Sequence, residues 1–119
     1  MKKIIKKTFC FDLDNTLCKT INSNYLKSKP NLSAIKIVNR LYNNGHCIKI
    51  FTARYMGRNN DNISKANKMG YQKTFNQLKR WKIKFNKLIM SKPSADIYID
   101  DKSWGYNKNW IKKFEKFLN

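Results

Sequence analysis

Carboxylates are the scarcest chemistry in this chain: seven of 119 residues are acidic against 26 lysines and arginines, for a net charge of +19. Cysteine is nearly as sparse. Cys10, Cys18 and Cys47 are odd in number and include no CxxC pair, which argues against a disulfide framework or a zinc site and for a reducing compartment. Histidine occurs once, as His46 on the turn after Gly45, where an ordinary surface role is expected. No apolar run approaches the length of a membrane span, and no hydrophobic signal region follows the lysine-rich Met1 to Lys7 stretch. Internal repeats, low-complexity tracts and dividing linkers are also missing. The expectation is a cytoplasmic protein without a membrane partner, folded as one domain over residues 1–119.

Lysine, asparagine and isoleucine are abundant, filling 51 of 119 positions (22, 16 and 13). The lysines spread along the whole chain instead of forming an arm, so compositional drift accounts for the charge better than dedicated nucleic-acid binding. A basic nucleic-acid-binding module stays open as a lesser reading. On either reading the positive field draws in small anionic substrates. Hydrophobic residues at 41% and aromatics at 13% suffice for a folded core.

Residues 3 to 12 read as a buried central strand that stops at Asp12-Leu13-Asp14-Asn15-Thr16. Residues 15 to 30 lack clean periodicity and read as a loop or small hairpin. Leu32, Ile35, Val38, Leu41 and Tyr42 follow helical spacing between Pro30-Asn31 and Gly45. Cys47 to Phe51 is a second strand, ending at Thr52-Ala53-Arg54. Residues 55 to 70 read as a loop with a short helix, and Phe75, Leu78 and Trp81 mark a further helical stretch. Leu88 to Met90 is a third strand, ending near Lys92, and Asp96 to Ile99 a fourth, ending at Asp100-Asp101. A terminal helix spans Trp110 to Leu118. Its Trp110, Phe114 and Phe117 cover the sheet or an oligomer contact, so a homo-oligomer is a further expectation. Strands alternating with helices predict an α/β fold with a mostly parallel sheet, whose crevice lies beyond the carboxyl ends of its strands.

Four of the seven acidic residues fall in two pairs, Asp12 with Asp14 and Asp100 with Asp101, each at a predicted strand end. Two carboxylates two residues apart on one strand crowd each other unless the chain turns or a cation sits between them. An Asx-type turn and a metal site both answer that, and the first pair alone does not choose. The second pair, with the Thr52 hydroxyl and the Lys92 ammonium at other strand ends, adds the parts phosphoryl transfer uses. Oxygen donors of this kind suit Mg²⁺.

Asp12-Leu13-Asp14-Asn15-Thr16, Thr52, Lys92 and Asp100-Asp101 together resemble the four ordered motifs of the haloacid dehalogenase (HAD) superfamily of phosphatases. The resemblance implies a single Rossmann-like three-layer domain. It implies Asp12 as the nucleophile that forms an aspartyl-phosphate. Asp14 is then the general acid and base, with Thr52 and Lys92 on the phosphate. Asp100 and Asp101 would hold Mg²⁺ with Asp12 and the backbone carbonyl of Asp14, and Thr16 would brace the turn. Asn15 stands where family members usually carry glycine, and Asn tolerates a left-handed turn almost as well. Lys92 precedes Asp100 by only eight residues, and Lys87 and Lys102 are the substitutes for its role. The intervals between motifs hold one helix and its loops each, so no cap domain is expected. In finer detail the chain resembles the short phosphatases of capsule and surface-polysaccharide biosynthesis, which implies a sugar or polyol phosphate as substrate.

Arg54 is a candidate substrate clamp, whereas Arg58 reads as a solvated loop residue. Tyr25 and Trp104 read as core or interface before sugar-stacking groups. The enzyme alternative is a nucleotidase or nucleic-acid end-phosphatase. A phospho-accepting receiver domain is disfavoured because no Asp ends either middle strand.

Overall fold

Thr8–Asp12 (β1), Cys47–Phe51 (β4) and Lys87–Ile89 (β5) form a parallel sheet in the order β1-β4-β5. Thr8 lies opposite Cys47 and Asp12 opposite Phe51; Lys49 lies opposite Lys87 and Phe51 opposite Ile89. The structure is a computed structural model and describes residues 5–118. Leu32–Asn43 (α1) connects β1 to β4, Ile63–Arg80 (α2) connects β4 to β5, and Trp110–Leu118 (α3) closes the chain. The expected α/β class is thus present as a parallel three-stranded sheet with three helices.

Periodicity explains the helices. In α1 the positions Ala34, Ile35, Ile37, Val38 and Leu41 are buried, one stripe of a 3.6-residue repeat. Its start is fixed by Asn31, whose side chain accepts the N–H of Ala34, a cap of about 1 kcal/mol. Gly45, at φ +90, ends the turn that leads into β4. Asn62 caps α2 in the same way through the N–H of Lys65. The core lies between sheet and helices, around Leu13, Leu17, Val38, Leu41, Ile48, Ile50 and Leu78. No helix among the described residues is long and apolar enough to cross a membrane.

Four expectations are corrected. The first strand is an edge strand, not a central one, and starts at Thr8. Residues 3 and 4 lie outside the described residues, and Ile5 is exposed. Pairing begins where β4 begins: the Lys7 carbonyl accepts the Cys47 N–H, and the Lys7 N–H is taken by Nδ1 of His46. The third strand is shifted by one residue to Lys87–Ile89. Residues 63 to 80 form one continuous helix, where the sequence suggested a short helix and a separate later one. The fourth strand is not formed: Ile97 and Ile99 are 78% and 97% exposed. The chain is held beside β4 before it reaches them, because the Lys92 N–H bonds to the Thr52 carbonyl and the Ser94 N–H to Asp61.

Residues 15 to 30 do form a small hairpin. Cys18–Lys19 (β2) pairs antiparallel with Lys29–Pro30 (β3), with a 3-10 turn at Tyr25–Lys27 between them.

Candidate functional site

The chain turns sharply after β1. The N–H groups of Thr16 and Leu17 both reach back to the Leu13 carbonyl, and the Asn15 N–H bonds to the Cys18 carbonyl. Asn15 adopts φ +64 to make this turn, a conformation that Asn accepts more readily than most residues. The turn separates the side chains of Asp12 and Asp14, and each finds its own cation.

Asp12 accepts Lys92 Nζ on Oδ1 at 3.1 Å and the Thr16 hydroxyl on Oδ2 at 3.0 Å. Thr16 therefore braces the turn through a side chain, and Lys92 reaches the first carboxylate across 80 residues. The Lys92 ammonium also lies 4.3 Å from the Tyr98 ring centre. Asp14 is held more tightly. Its Oδ1 accepts Arg54 Nη2 at 2.9 Å, Arg54 Nε at 3.1 Å and the Thr20 hydroxyl at 2.5 Å. Its Oδ2 accepts Arg54 Nε at 3.0 Å. Thr20 is in turn linked to the Ser28 hydroxyl at 2.6 Å across the hairpin.

Arg54 is 1% exposed and faces inward, so the expected substrate clamp is corrected. β4 delivers it beneath the hairpin, where Nη1 donates to Gln77 Oε1 at 2.7 Å and to Thr74 at 3.5 Å. Its guanidinium carbon lies 4.9 Å from the Tyr25 ring centre. Gln77 returns its own N–H to the Tyr25 carbonyl at 2.8 Å. Thr52 is also buried, and its Oγ1 accepts the Arg54 N–H at 3.1 Å. That bond occupies an acceptor lone pair and not the hydroxyl proton.

Sequence reasoning missed Thr20, Thr74 and Gln77. The available signal was polar residues at 74 and 77 on the helical stripe that continues Ala66 and Gly70. Tyr25 packs edge-on to Tyr55, Trp104 packs on Phe114 and Phe117, and exposed Arg58 lies over Tyr25 and Tyr55.

Asp100 and Asp101 are exposed, and the expected set of four converging carboxylates is not assembled. Among the described residues no three acidic, histidine or cysteine side chains form a metal-holding group. Asp14 spends its carboxylate on Arg54, and the missing fourth strand leaves the second pair off the sheet. The donor chemistry still fits Mg²⁺, since the Asp12 carboxylate, the Asp14 carbonyl and the second pair are all oxygen donors. Asp100 is kept below the usual carboxylate range by the Lys102 N–H, then by Asp101, so it stays charged.

Electrostatics connects these parts. Desolvation pushes the Cys10 thiol up, the charges of Lys92 and Lys49 oppose the rise, and those of Asp12 and Asp100 add to it. Cys10 thus lies within the fields of Lys92, Asp12 and Asp100 together. The Cys18 thiol, beside Asp14, is raised chiefly by burial. A cavity of about 440 Å³ opens next to it, lined by Asn15, Lys19, Lys29 and Tyr106 among others. Tyr106 closes over the turn by donating its hydroxyl to the Asn15 carbonyl at 2.9 Å.

No protein-family model matches the chain, and no curated protein is similar to it. Among solved structures, the crystal structure of a target protein from Vibrio cholerae is similar at 25% identity and a TM-score of 0.77, covering 97% of this chain and 100% of that one. The likeness spans nearly the whole of both chains and places this chain with that protein as an α/β fold of the same size.

Proposed function

We propose that the chain is a capless HAD-type phosphomonoesterase: one Rossmann-like domain over residues 1–119 that hydrolyses a small phosphorylated metabolite. The observation that carries this reading is the separation of Asp12 from Asp14, one held by Lys92 and the other by Arg54. Two carboxylates in different surroundings are suited to different roles.

Asp12 is the nucleophile. As an Asp12 oxygen bonds to phosphorus, the ester P–O bond breaks and Asp14 protonates the leaving oxygen. Asp14 then takes a proton from water, whose oxygen bonds to phosphorus while the Asp12–phosphorus bond breaks. Lys92 holds the phosphate beside the nucleophile, and the Thr52 hydroxyl is the further donor to a phosphoryl oxygen. Asp12, the Asp14 carbonyl and Asp100 or Asp101 would hold Mg²⁺. When bound, that ion supplies charge neutralisation on the transferring group.

The substrate is a sugar or polyol phosphate, and the three unpaired cysteines favour a cytoplasmic setting. The charge of +19 supports a second reading, with a nucleotide or nucleic-acid end phosphate as substrate. Phosphate release is measured from sugar phosphates, polyol phosphates, nucleotides, 3′-phosphorylated oligonucleotides and an aryl phosphate, with and without Mg²⁺. The expected result is metal-dependent release that Asp12→Asn abolishes. Full turnover by Asp12→Asn would remove the mechanism.

A further inference from the structure

The buried guanidinium does not only neutralise Asp14; it divides the work between the two carboxylate oxygens. Oδ1 accepts from Arg54 Nη2, Arg54 Nε and Thr20, with the Cys18 thiol at 3.6 Å, more donors than its two lone pairs accommodate well. Oδ2 accepts only the shared Arg54 Nε among these side chains. Arg54 is itself fixed by Gln77, Thr74 and the Tyr25 ring, so it cannot follow Asp14 if the carboxylate rotates.

Resting on the phosphatase reading above, we propose that Arg54 is the positioning residue of proton transfer: with Thr20 it saturates Oδ1 of Asp14 and leaves Oδ2 to give and take the proton. In the first half-reaction the proton leaves Oδ2 for the ester oxygen as the ester P–O bond breaks. In the second, water returns a proton to Oδ2 as its oxygen bonds to phosphorus and the Asp12–phosphorus bond breaks. Arg54 exchanges no proton in either half; its Nε, 3.0 Å from Oδ2, only holds that oxygen in place.

The test compares two substrates by kcat/KM, which reports steps only up to formation of the aspartyl-phosphate. An alkyl phosphate needs a proton on its leaving oxygen, whereas a nitrophenyl phosphate does not. General acid catalysis is worth about 10²–10⁴ in rate. Arg54→Met is therefore expected to lower kcat/KM about 100-fold for the alkyl ester and less than about fivefold for the nitrophenyl ester. Gln77→Leu, which loosens Arg54 without removing a charge, should shift the same ratio in the same direction. It carries the test if Arg54→Met does not fold. Arg54→Lys, which keeps the charge but not the fork of donors, should restore only part of the ratio.

Equal losses on both esters, with Asp12→Asn inactive on both, would overturn the positioning role and leave the phosphatase reading intact. Turnover of both esters by Asp12→Asn at the wild-type rate would remove the reading and the role together.

Discussion

The Arg54 guanidinium meets the Asp14 carboxylate across 40 residues of sequence, with 0% of the arginine side chain and 20% of the aspartate side chain exposed. Removing one partner leaves a buried charge uncompensated, at a cost of about 3–5 kcal/mol, whereas removing both costs less than the two losses added together. Urea unfolding of Asp14→Ala, Arg54→Met and the double variant reads the difference. Strictly additive losses would show that the two side chains do not act as a unit.

Lys92 and Asp12 form the opposite kind of pair. Their side chains are 17% and 36% exposed, so screening limits the contribution to stability to about 1 kcal/mol or less. On the proposed phosphatase function, Lys92→Met is expected to leave the melting temperature nearly unchanged while lowering kcat/KM at least about tenfold, through loss of the phosphate's cation. Parallel melting and phosphate-release measurements check it. A large drop in stability would make Lys92 a structural residue.

Asn15 occupies the left-handed region at φ +64 while its side chain accepts the Thr20 N–H at 3.2 Å. Asn15→Gly should therefore be tolerated within about 0.5 kcal/mol, since backbone freedom offsets the lost bond. A β-branched residue cannot make the turn cheaply, and Asn15→Val should cost about 1–3 kcal/mol. Thermal unfolding of both variants decides, and equal stability would mean that the turn is not under this constraint.

Desolvation raises the thiols of Cys10 and Cys18, so the reactive thiolate appears only at higher pH than for an ordinary cysteine. Alkylation by iodoacetamide at pH 7 should be slow at both and accelerate as the pH rises. Lys92 lowers the Cys10 thiol, so Lys92→Met should slow alkylation at Cys10 further. Mass spectrometry resolves the sites, and a faster Cys10 in that variant would contradict the field described.

Local patterns that carry their own physics were legible in sequence. Cys47–Phe51 and Trp110–Leu118 have the expected bounds, and α1 begins at Leu32 as its cap and spacing require. Lys92 stands near a predicted strand end, but its reach to the first carboxylate is implied only by the resemblance of the ordered motifs, with Lys87 and Lys102 as substitutes. The fourth strand did not form because a β-type stretch needs a partner edge, and the ties of Lys92 and Ser94 are long-range contacts that periodicity does not encode. Arg54 reads as a substrate clamp for the same reason: an arginine just past a strand end looks available to a ligand until the polar face at Thr74 and Gln77 is seen to receive it. The unbroken α2 was hidden by the polar, glycine-punctuated run up to Gly70, which dilutes the apolar stripe of its first half.

Tyr55 turns at φ +65 and lays its ring on the backbone of Gly70, where an added Cβ would sit 2.1 Å from two ring carbons. Thr74 and Gln77 follow Gly70 on the same buried stripe, with Gln77 about 10 Å along the axis at 1.5 Å per residue. The helix is thus a ruler with its zero mark at a residue that has no side chain. A single methyl group at Gly70 would displace every graduation beyond it, and Arg54 would be read against the wrong scale. The position of least chemical content is in this sense the datum from which the carboxylate at Asp14 is aimed.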